Sequence, residues 1–321
     1  MVTSVGLIAH HSAFQHLSYL HQATADRPTY VAVGVFDGVH LGHQALLQQM
    51  LAAAHAAQAR SAVLTFFPHP AVYIQQLPGR YYLTRQEERV RLLDNLGLDL
   101  VITCPFDEAT RMTRAAVFVD RLIQYLDMKA LWGGHFSLGH GREGNYEFLQ
   151  SQGQAKGFTV HHVGELLMWQ GERVSSSRIR QALAQGQMDV VTGCLGRPYR
   201  LTGKVLHGQE RGRTIGFPTA NLAVWAEQLV PSNGVYATYA WVNGQRFAAA
   251  TNVGVRPTVS GQNLTIEAHL LDYSGDLYEQ EITLEFISHI RPEYKFSSLD
   301  ALKTQITHDV AAIRALLNPS L

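Results

Sequence analysis

Two histidines, His40 and His43, lie three residues apart at the start of a helix that is predicted to follow a strand at residues 30–35. The turn that joins this strand to the helix, within YVAVGVFDGVHLGH, contains Gly34 and Gly38, where the backbone can approach a ligand closely. A helix N-terminus carries unpaired N–H groups and the positive end of the helix dipole, and two imidazoles on one helical face add donors. The pattern therefore predicts a phosphate-binding turn.

Further polar groups suit the same chemistry. Asp37 could hold the turn or orient a ligand group, and the segment at 174–180 places Ser176 and Ser177 at a predicted helix start, followed by Arg180. Serines there can cap the helix or bind phosphate, and a guanidinium can contact two phosphate oxygens. The serines could be nothing more than a helix cap. The histidines could be ordinary polar residues of a helix start, whereas zinc binding lacks a third ligand at matching spacing.

A second group of candidate residues lies in the other half of the chain. It comprises three glycines four residues apart and two side chains with oxygen atoms: Gly208, Gly212, Gly216, Thr219 and Asn221. The glycines predict a loop that closes on phosphates, and the threonine and asparagine oxygens suit Mg²⁺. Glu267, within a predicted strand, could take a proton from an attacking hydroxyl. Taken alone, such a glutamate is more often a solvent-facing strand residue.

The secondary structure predicted to position these side chains differs between the two halves of the chain. Residues 1–190 alternate strand and helix patterns, with strands predicted at 30–35, 62–67, 100–103, 130–132 and 158–162. This alternation predicts an α/β domain with a parallel sheet covered on both faces, which binds ligands beyond the carboxyl ends of its strands.

The remainder, residues 195–321, is predicted to form a second domain. Short β-branched or aromatic runs at 235–241, 247–251, 265–271 and 282–287 predict strands, and Asn243-Gly244 predicts a hairpin turn. Closely spaced strands without helices favour a small antiparallel barrel, with a final helix over residues 299–317.

Composition narrows the class of protein. The 321 residues contain 26 lysines and arginines against 26 aspartates and glutamates, so charge gives no reason to expect nucleic acid or a membrane as a partner. There are two cysteines, no signal-peptide pattern, and no apolar run near the roughly 18 residues of a spanning helix. We expect a protein of the reducing cytoplasm.

These motifs, in this order, resemble the bacterial bifunctional riboflavin kinase / FAD synthetase family. For the first half, the resemblance implies a Rossmann-like nucleotidylyltransferase domain that transfers AMP from ATP to FMN, giving FAD and pyrophosphate. It implies that His40 and His43 are catalytic and hold ATP phosphates. The groups implied on the phosphate side are Gly34, Asp37, Gly38, Ser176, Ser177 and Arg180, and those implied to position the flavin are His135 and Phe136.

For the second half, the resemblance rests on GFPTAN at 216–221, NVGVRPT at 252–258 and DLY at 276–278. It implies a six-stranded antiparallel barrel with a terminal helix, which moves the γ-phosphoryl group of ATP to the ribityl 5′-hydroxyl of riboflavin. Thr219 and Asn221 would bind Mg²⁺ with ATP, Glu267 would be the base, and Arg256 would contact the flavin. Gly208, Gly212 and Gly216 would contact phosphates.

The sequence departs from that family's usual pattern at several positions. In the segment at 134–139, His135 replaces an Asp or Asn and Leu138 replaces an aromatic residue. Glu279 replaces a glycine, and a glutamate there would be strained if the position has positive φ. These departures leave two alternatives: a riboflavin kinase with a weakened or lost FAD synthetase module, and a flavin or nucleotide sensor without turnover. The predicted partners are riboflavin, FMN, FAD and ATP, and no oligomeric state is predicted.

Overall fold

The structure is a computed structural model that describes residues 14–164, 167–208, 212, 215–258 and 261–317. Side chains at 256–258 and 261–263 lie outside the described part. The chain divides into two compact units. The first comprises the described residues up to Pro78 with Gln86–Leu167, and the second comprises Gly79–Arg85 with the described residues from Met168 onward. The assignment of residues 1–190 and 195–321 to separate functional domains stays a prediction.

The first unit is a parallel sheet with helices on both faces. Its strands are β1 (Gln15–Leu17), β2 (Thr29–Val33), β3 (Arg60–Phe67), β4 (Leu100–Pro105), β5 (Met128–Gly133) and β6 (Thr159–His162). Its helices are α1 (Leu41–Ala56), α2 (Pro70–Gln75), α3 (Gln86–Asp94), α4 (Glu108–Arg111), α5 (Ala115–Leu126) and α6 (Tyr146–Lys156). The strand order is β1-β4-β3-β2-β5-β6 with parallel pairing throughout. The predicted α/β fold is confirmed.

Alternating residues of the strands supply two hydrophobic clusters, one on each face of the sheet. Leu100 and Ile102 join α5 residues such as Leu122, whereas Val101 packs with α1 residues such as Leu47. This alternation follows from the period of two in a strand, and it explains why these strands are apolar along their whole length. Both faces of the sheet are therefore covered by packed helices, and only the loops at the ends of the strands are left to bind a ligand.

The second unit begins with a hairpin and two helices and continues into a barrel. These elements are β7 (Met168–Trp169), β8 (Glu172–Arg173), α7 (Ser176–Ala184) and α8 (Met188–Leu195). The barrel strands are β9 (Tyr199–Leu206), β10 (Ala220–Val224), β11 (Gly234–Val242), β12 (Gln245–Thr258), β13 (Gly261–Leu270) and β14 (Glu281–Arg291). The barrel closes in the order β10-β13-β12-β11-β14-β9 with antiparallel pairs, as predicted.

The terminal helix α9 (Leu299–Leu317) has the predicted bounds. Its buried Ile313 and Leu317 pack on the barrel, and Arg291 of β14 donates from Nε and Nη2 to the carboxylate of Asp309 at 2.7–3.0 Å. Both side chains of this ion pair are largely buried, so the helix is attached by charge as well as by apolar contact. Among the described residues, no helix is both long and apolar enough to cross a membrane.

Candidate functional site

The turn after β2 leaves the sheet at a topological switch point. From β2 the chain moves to β3 on one side, whereas β5 pairs with β2 on the other side. Loops that leave neighbouring strands in opposite directions open a crevice at the carboxyl edge, where α/β sheets bind ligands. The turn at 34–40 and the segment at 134–139 both begin at this edge.

This turn has an unusual backbone. Phe36, Gly38 and Val39 have φ values of 53°, 83° and 40°, in the left-handed region. A β-branched residue there is strained, and such strain persists where the surroundings hold it. Phe36 and Val39 are buried, the Val39 N–H donates to the Phe36 carbonyl at 3.0 Å, and Asp37 is only 1% exposed. At Gly34 an added Cβ would lie 3.1 Å from the Phe36 ring, so the ring packs on this glycine.

The two histidines form one rigid pair at the start of α1. His40 is the N-cap, and its Nδ1 accepts a hydrogen bond from the His43 N–H at 3.2 Å. The two rings stack with centroids 3.6 Å apart. Because Nδ1 of His40 is an acceptor, the proton of the neutral ring lies on Nε2. Burial, and then the neighbouring His40, hold the pKa of His43 well below its usual range. His43 is therefore neutral at pH 7 and offers a single N–H.

The segment after β5 combines one exposed and one buried candidate. His135 is exposed, whereas Phe136 is 7% exposed and stacks on Tyr146 with centroids 6.1 Å apart. The Phe136 ring lies over Gly133, where an added Cβ would be 2.6 Å away. His162 of β6 contacts the Gly134 carbonyl through Nε2 at 3.1 Å. Of these two residues, only His135 presents its side chain to solvent.

The helix with Ser176, Ser177 and Arg180 belongs to the second unit. The N-cap of α7 is Ser175, which accepts from the Arg178 N–H at 3.2 Å, so the capping role falls on that serine. Arg180 donates from Nε to the Tyr81 carbonyl at 2.9 Å, and its guanidinium lies 4.1 Å from the Tyr81 ring centroid. The assignment of Ser176, Ser177 and Arg180 to ATP phosphates stays a prediction.

In the barrel, strand register brings the candidate base beside two amides. Glu267 of β13 lies directly opposite Asn221 of β10 on one side and Asn252 of β12 on the other. Side chains opposite each other in antiparallel strands point to one face, with Cβ atoms roughly 5 Å apart. Since Ile266 and Ala268 are buried, this row of three polar side chains lies on the outer face of the barrel.

The glycine loop packs closely on the predicted Mg²⁺ ligands. An added Cβ at Gly208 would lie 2.2 Å from Nδ2 of Asn221, and one at Gly212 would lie 3.5 Å from Oγ1 of Thr219. Gly216 has φ 89°, which a side chain would strain. The structure thus brings Gly208, Gly212, Thr219 and Asn221 together. Residues 209–211, 213 and 214 lie outside the described part, as does the side chain of Arg256.

A cleft of about 480 Å³ opens beside Thr219. Its walls include Ala220, Leu270, Tyr273 and Tyr278, so it combines apolar surface with the hydroxyl-bearing Thr219. His207 stacks on Tyr278 with ring centroids 3.7 Å apart. A partly apolar cleft of this volume suits a nucleoside or another flat ligand.

Glu279, next to this cleft, has φ 64°, so the strain expected for a non-glycine residue is present. Its carboxylate pairs with Lys204, and that hydrogen bond lowers its pKa. The residue therefore shapes a turn at the surface.

Sequence reasoning missed two features of these sites. The sequence predicts no role for Asn252, because its position opposite Glu267 depends on strand register. Arg89 was not singled out, yet it is 1% exposed within α3. A signal was present, because Arg89 lies four residues before the buried Leu93 and so shares its helical face.

Both halves of the chain are similar to known protein families. A family model described as FAD synthetase matches residues 22–178, and one described as riboflavin kinase matches residues 195–317. A bifunctional riboflavin kinase/FMN adenylyltransferase of Pseudomonas fluorescens is 40% identical over 311 residues, which cover 94% of this chain and 97% of the relative. The protein of that name from Escherichia coli K12 is 38% identical, with 88% and 91% covered.

A more distant relative and a solved structure extend the similarity. The Bacillus subtilis protein of the same name is 32% identical over 92% of this chain and 95% of its own length. A crystal structure described as a macrolide-efflux protein from Streptococcus pneumoniae has a TM-score of 0.85 at 27% identity, covering 94% of this chain and 98% of that one. That likeness extends over both units of the fold.

Proposed function

The chain belongs to the family of bifunctional riboflavin kinases/FMN adenylyltransferases, and from this premise we propose which residues carry each of its two reactions. The enzyme phosphorylates riboflavin to FMN with ATP and then adenylylates FMN to FAD with release of pyrophosphate. The FAD synthetase model spans the segment with His135 and Leu138, so the kinase-only alternative is not favoured. FAD, FMN, riboflavin and ATP are accordingly its products and substrates.

For adenylylation, the turn at 34–40 and the pair His40/His43 hold the ATP phosphates. A phosphate oxygen of FMN attacks the α-phosphorus, and pyrophosphate leaves. The task of the protein is to align the phosphates and to stabilise the charge that develops on them. The N–H groups at the start of α1 and the Nε2 proton of His40 are the donors that support this role. Asp37 is buried within the turn and helps to fix its conformation.

For flavin phosphorylation, Glu267 accepts the proton of the ribityl 5′-hydroxyl as that oxygen attacks the γ-phosphorus and ADP leaves. The observation that carries this proposal is the register of β13, which holds Glu267 beside Asn221 and Asn252. The cleft bordered by Thr219 takes the nucleoside of ATP. Gly208 and Gly212 let the loop lie against Asn221 and Thr219, from where it contacts the ATP phosphates.

Thr219 and Asn221 fit a magnesium ion that is carried by ATP. Both offer neutral, hard oxygen atoms, and Mg²⁺ usually keeps waters and substrate phosphates beside one or two protein ligands. The described residues hold no cluster of three or more histidines, cysteines or carboxylates, as would suit a metal held by the protein alone. When bound, the ion would neutralise charge on the transferred phosphoryl group.

We also propose that the enzyme works in the cytoplasm. Support comes from Cys104 and Cys194, which are both free thiols in the structure, as suits a reducing compartment.

A crystal grown with Mg²⁺ and a non-hydrolysable ATP analogue tests the two assignments together. We expect nucleotide with its phosphates at the His40/His43 turn and a second nucleotide in the cleft beside Thr219. A single nucleotide that contacts neither group would refute the residue assignments while leaving the family membership intact.

A further inference from the structure

The buried His43 provides no positive charge to balance the ATP phosphates at the adenylylating site. His43 is held neutral by burial and by its neighbour, so this ring offers a hydrogen bond but no positive charge at pH 7. The α1 N-terminus contributes about half an elementary charge. The triphosphate of ATP carries several negative charges, and the expulsion of pyrophosphate adds charge to the leaving group. A fixed cation near the turn would therefore assist the reaction.

Arg89 places such a cation behind the turn. Its side chain is 1% exposed and lies on the buried face of α3. Nη1 donates to the Val35 carbonyl at 3.2 Å, and Nη2 donates to the Phe66 carbonyl at 3.4 Å. Val35 is the second residue of the turn, and Phe66 lies near the carboxyl end of β3, the neighbour of β2. One guanidinium thus joins the ends of two adjacent strands at the binding edge.

The hydrogen bond from Arg89 to the Val35 carbonyl fixes the conformation of the turn and also brings a positive charge close to it. The Val35 carbonyl also accepts from Oγ1 of Thr65 at 2.8 Å, so two donors fix the peptide that precedes the left-handed Phe36. Burying a guanidinium is costly, and such a cost is usually retained where the charge has a task. The field of a buried charge is screened much less than that of an exposed one. Burial, and then the charge of Arg89, lower the pKa of His16 on β1.

We propose that Arg89 is a positioning residue of the adenylylating site, which fixes the peptide that starts the turn at 34–40 and supplies positive charge behind the ATP phosphates. This inference rests on the proposed role of that turn. It assigns to Arg89 the part of phosphate recognition that depends on charge, and to His40 and His43 the part that depends on directed N–H groups.

The test uses the full chain with Arg89→Met, Arg89→Lys and the control Arg91→Met. Arg91 is an exposed arginine of the same helix, so its replacement changes the net charge equally. Each protein is assayed for adenylylation of supplied FMN, with the KM for ATP and the inhibition constants of inorganic pyrophosphate and of adenosine. The riboflavin kinase rate of the same sample reports the integrity of the second unit.

For Arg89→Met, we expect the KM for ATP and the inhibition constant of pyrophosphate to rise about tenfold or more, the scale of a lost charge-assisted interaction. The inhibition constant of adenosine and the kinase rate should stay unchanged, because adenosine carries no phosphate. Arg89→Lys should retain pyrophosphate inhibition but lower kcat, since one ammonium group cannot reproduce the two-carbonyl contact. Arg91→Met should match the unmodified protein.

Three results would overturn the inference. If Arg89→Met weakens inhibition by pyrophosphate and by adenosine equally, the role of Arg89 is purely structural. If pyrophosphate inhibition is unchanged in Arg89→Met, the charge of Arg89 has no part in phosphate binding. If Arg89→Met fails to fold, a tenfold loss of pyrophosphate inhibition in Arg89→Lys would be decisive against it. Failure of the underlying turn assignment is separate, since that would appear as undiminished FAD synthesis in His43→Ala.

Discussion

At the scale of single residues, the two reactions depend on side chains that are fixed by different means. Glu267 is placed by strand pairing, opposite Asn221 and Asn252. His43 is placed by stacking on His40, whose own ring is tied to the backbone of α1. Glu267 belongs to the second unit and His43 to the first, so each can be changed separately.

Replacing Glu267 by glutamine should slow the kinase step alone. An amide cannot accept the hydroxyl proton, so we expect the rate of FMN formation to fall by about 10²-fold or more. Adenylylation of supplied FMN should keep its rate. Glu281→Gln is the matched control, because Glu281 is an exposed glutamate of another barrel strand. A full kinase rate in Glu267→Gln would remove this residue from the mechanism.

Replacing His43 by alanine should abolish the other step. The substitution removes the stacked partner of His40 and one N–H at the phosphate turn, so FAD formation should fall by roughly 10²-fold while FMN formation persists. The measurement is product analysis with FMN and, separately, with riboflavin as substrate. His55→Ala, on the exposed end of the same helix, should behave as the unmodified protein. Loss of both products in His43→Ala would contradict the separation of the sites.

At the scale of elements, the sequence was most informative where local pattern and fold agree. The strand, glycine turn and helix around His40 were predicted because an apolar run and a helical stripe flank the turn. The Asn243-Gly244 hairpin was predicted because both residues tolerate positive φ, and they have φ values of 48° and 80°. The edge strand β1 was missed, since its three residues carry no periodicity.

The parts that could not be predicted depend on contacts that are distant in sequence. Asn252 meets Glu267 only through the register of β12 and β13. The motif GHGREG at 139–144 fits a dinucleotide pattern, but an added Cβ at Gly139 would lie 2.4 Å from the Ala115 amide nitrogen. Glu143 also accepts from the Ala115 N–H at 2.7 Å. Gly139 therefore serves the packing against Ala115 at the start of α5.

Helix α6 offers a test in which local preference and packing disagree. Helix propensity favours alanine over glycine by about 1 kcal/mol, so Gly153→Ala should stabilise the helix in isolation. Its Cβ would lie 2.5 Å from the Phe158 carbonyl oxygen, so we expect a net loss of about 1–3 kcal/mol instead. The urea concentration that halves FMN-adenylylating activity should fall. The neighbouring exposed Gln154→Ala is the control, and a rise in the midpoint for Gly153→Ala would contradict the packing argument.

At the scale of the whole molecule, histidine burial makes stability depend on pH. Burial lowers the pKa of His16, His43 and His161 in the first unit and of His289 in the second. In the unfolded chain these rings titrate near pH 6.5, so below that pH the unfolded state binds more protons than the folded state. Their contribution to stability is therefore complete above about pH 7 and declines on acidification.

We expect the Tm to fall as pH is lowered from 7.5 to 5, with each such histidine contributing at most about 1.4 kcal/mol per pH unit to the slope. His43→Ala should flatten this dependence, because it removes one group whose pKa differs between the two states. Thermal unfolding followed by circular dichroism at several pH values measures both effects. A Tm that rises on acidification would show that these rings are not buried as neutral groups.

The central claim is that one chain carries two independent ATP-dependent sites, one acting at the γ-phosphorus and the other at the α-phosphorus. The most direct measurement mixes purified Glu267→Gln and His43→Ala proteins with riboflavin, ATP and Mg²⁺ and follows FAD. Neither variant alone should make appreciable FAD from riboflavin, whereas the mixture should, because FMN released by one protein is adenylylated by the other. A mixture that makes FMN but no FAD, while the unmodified enzyme makes both, would contradict the claim.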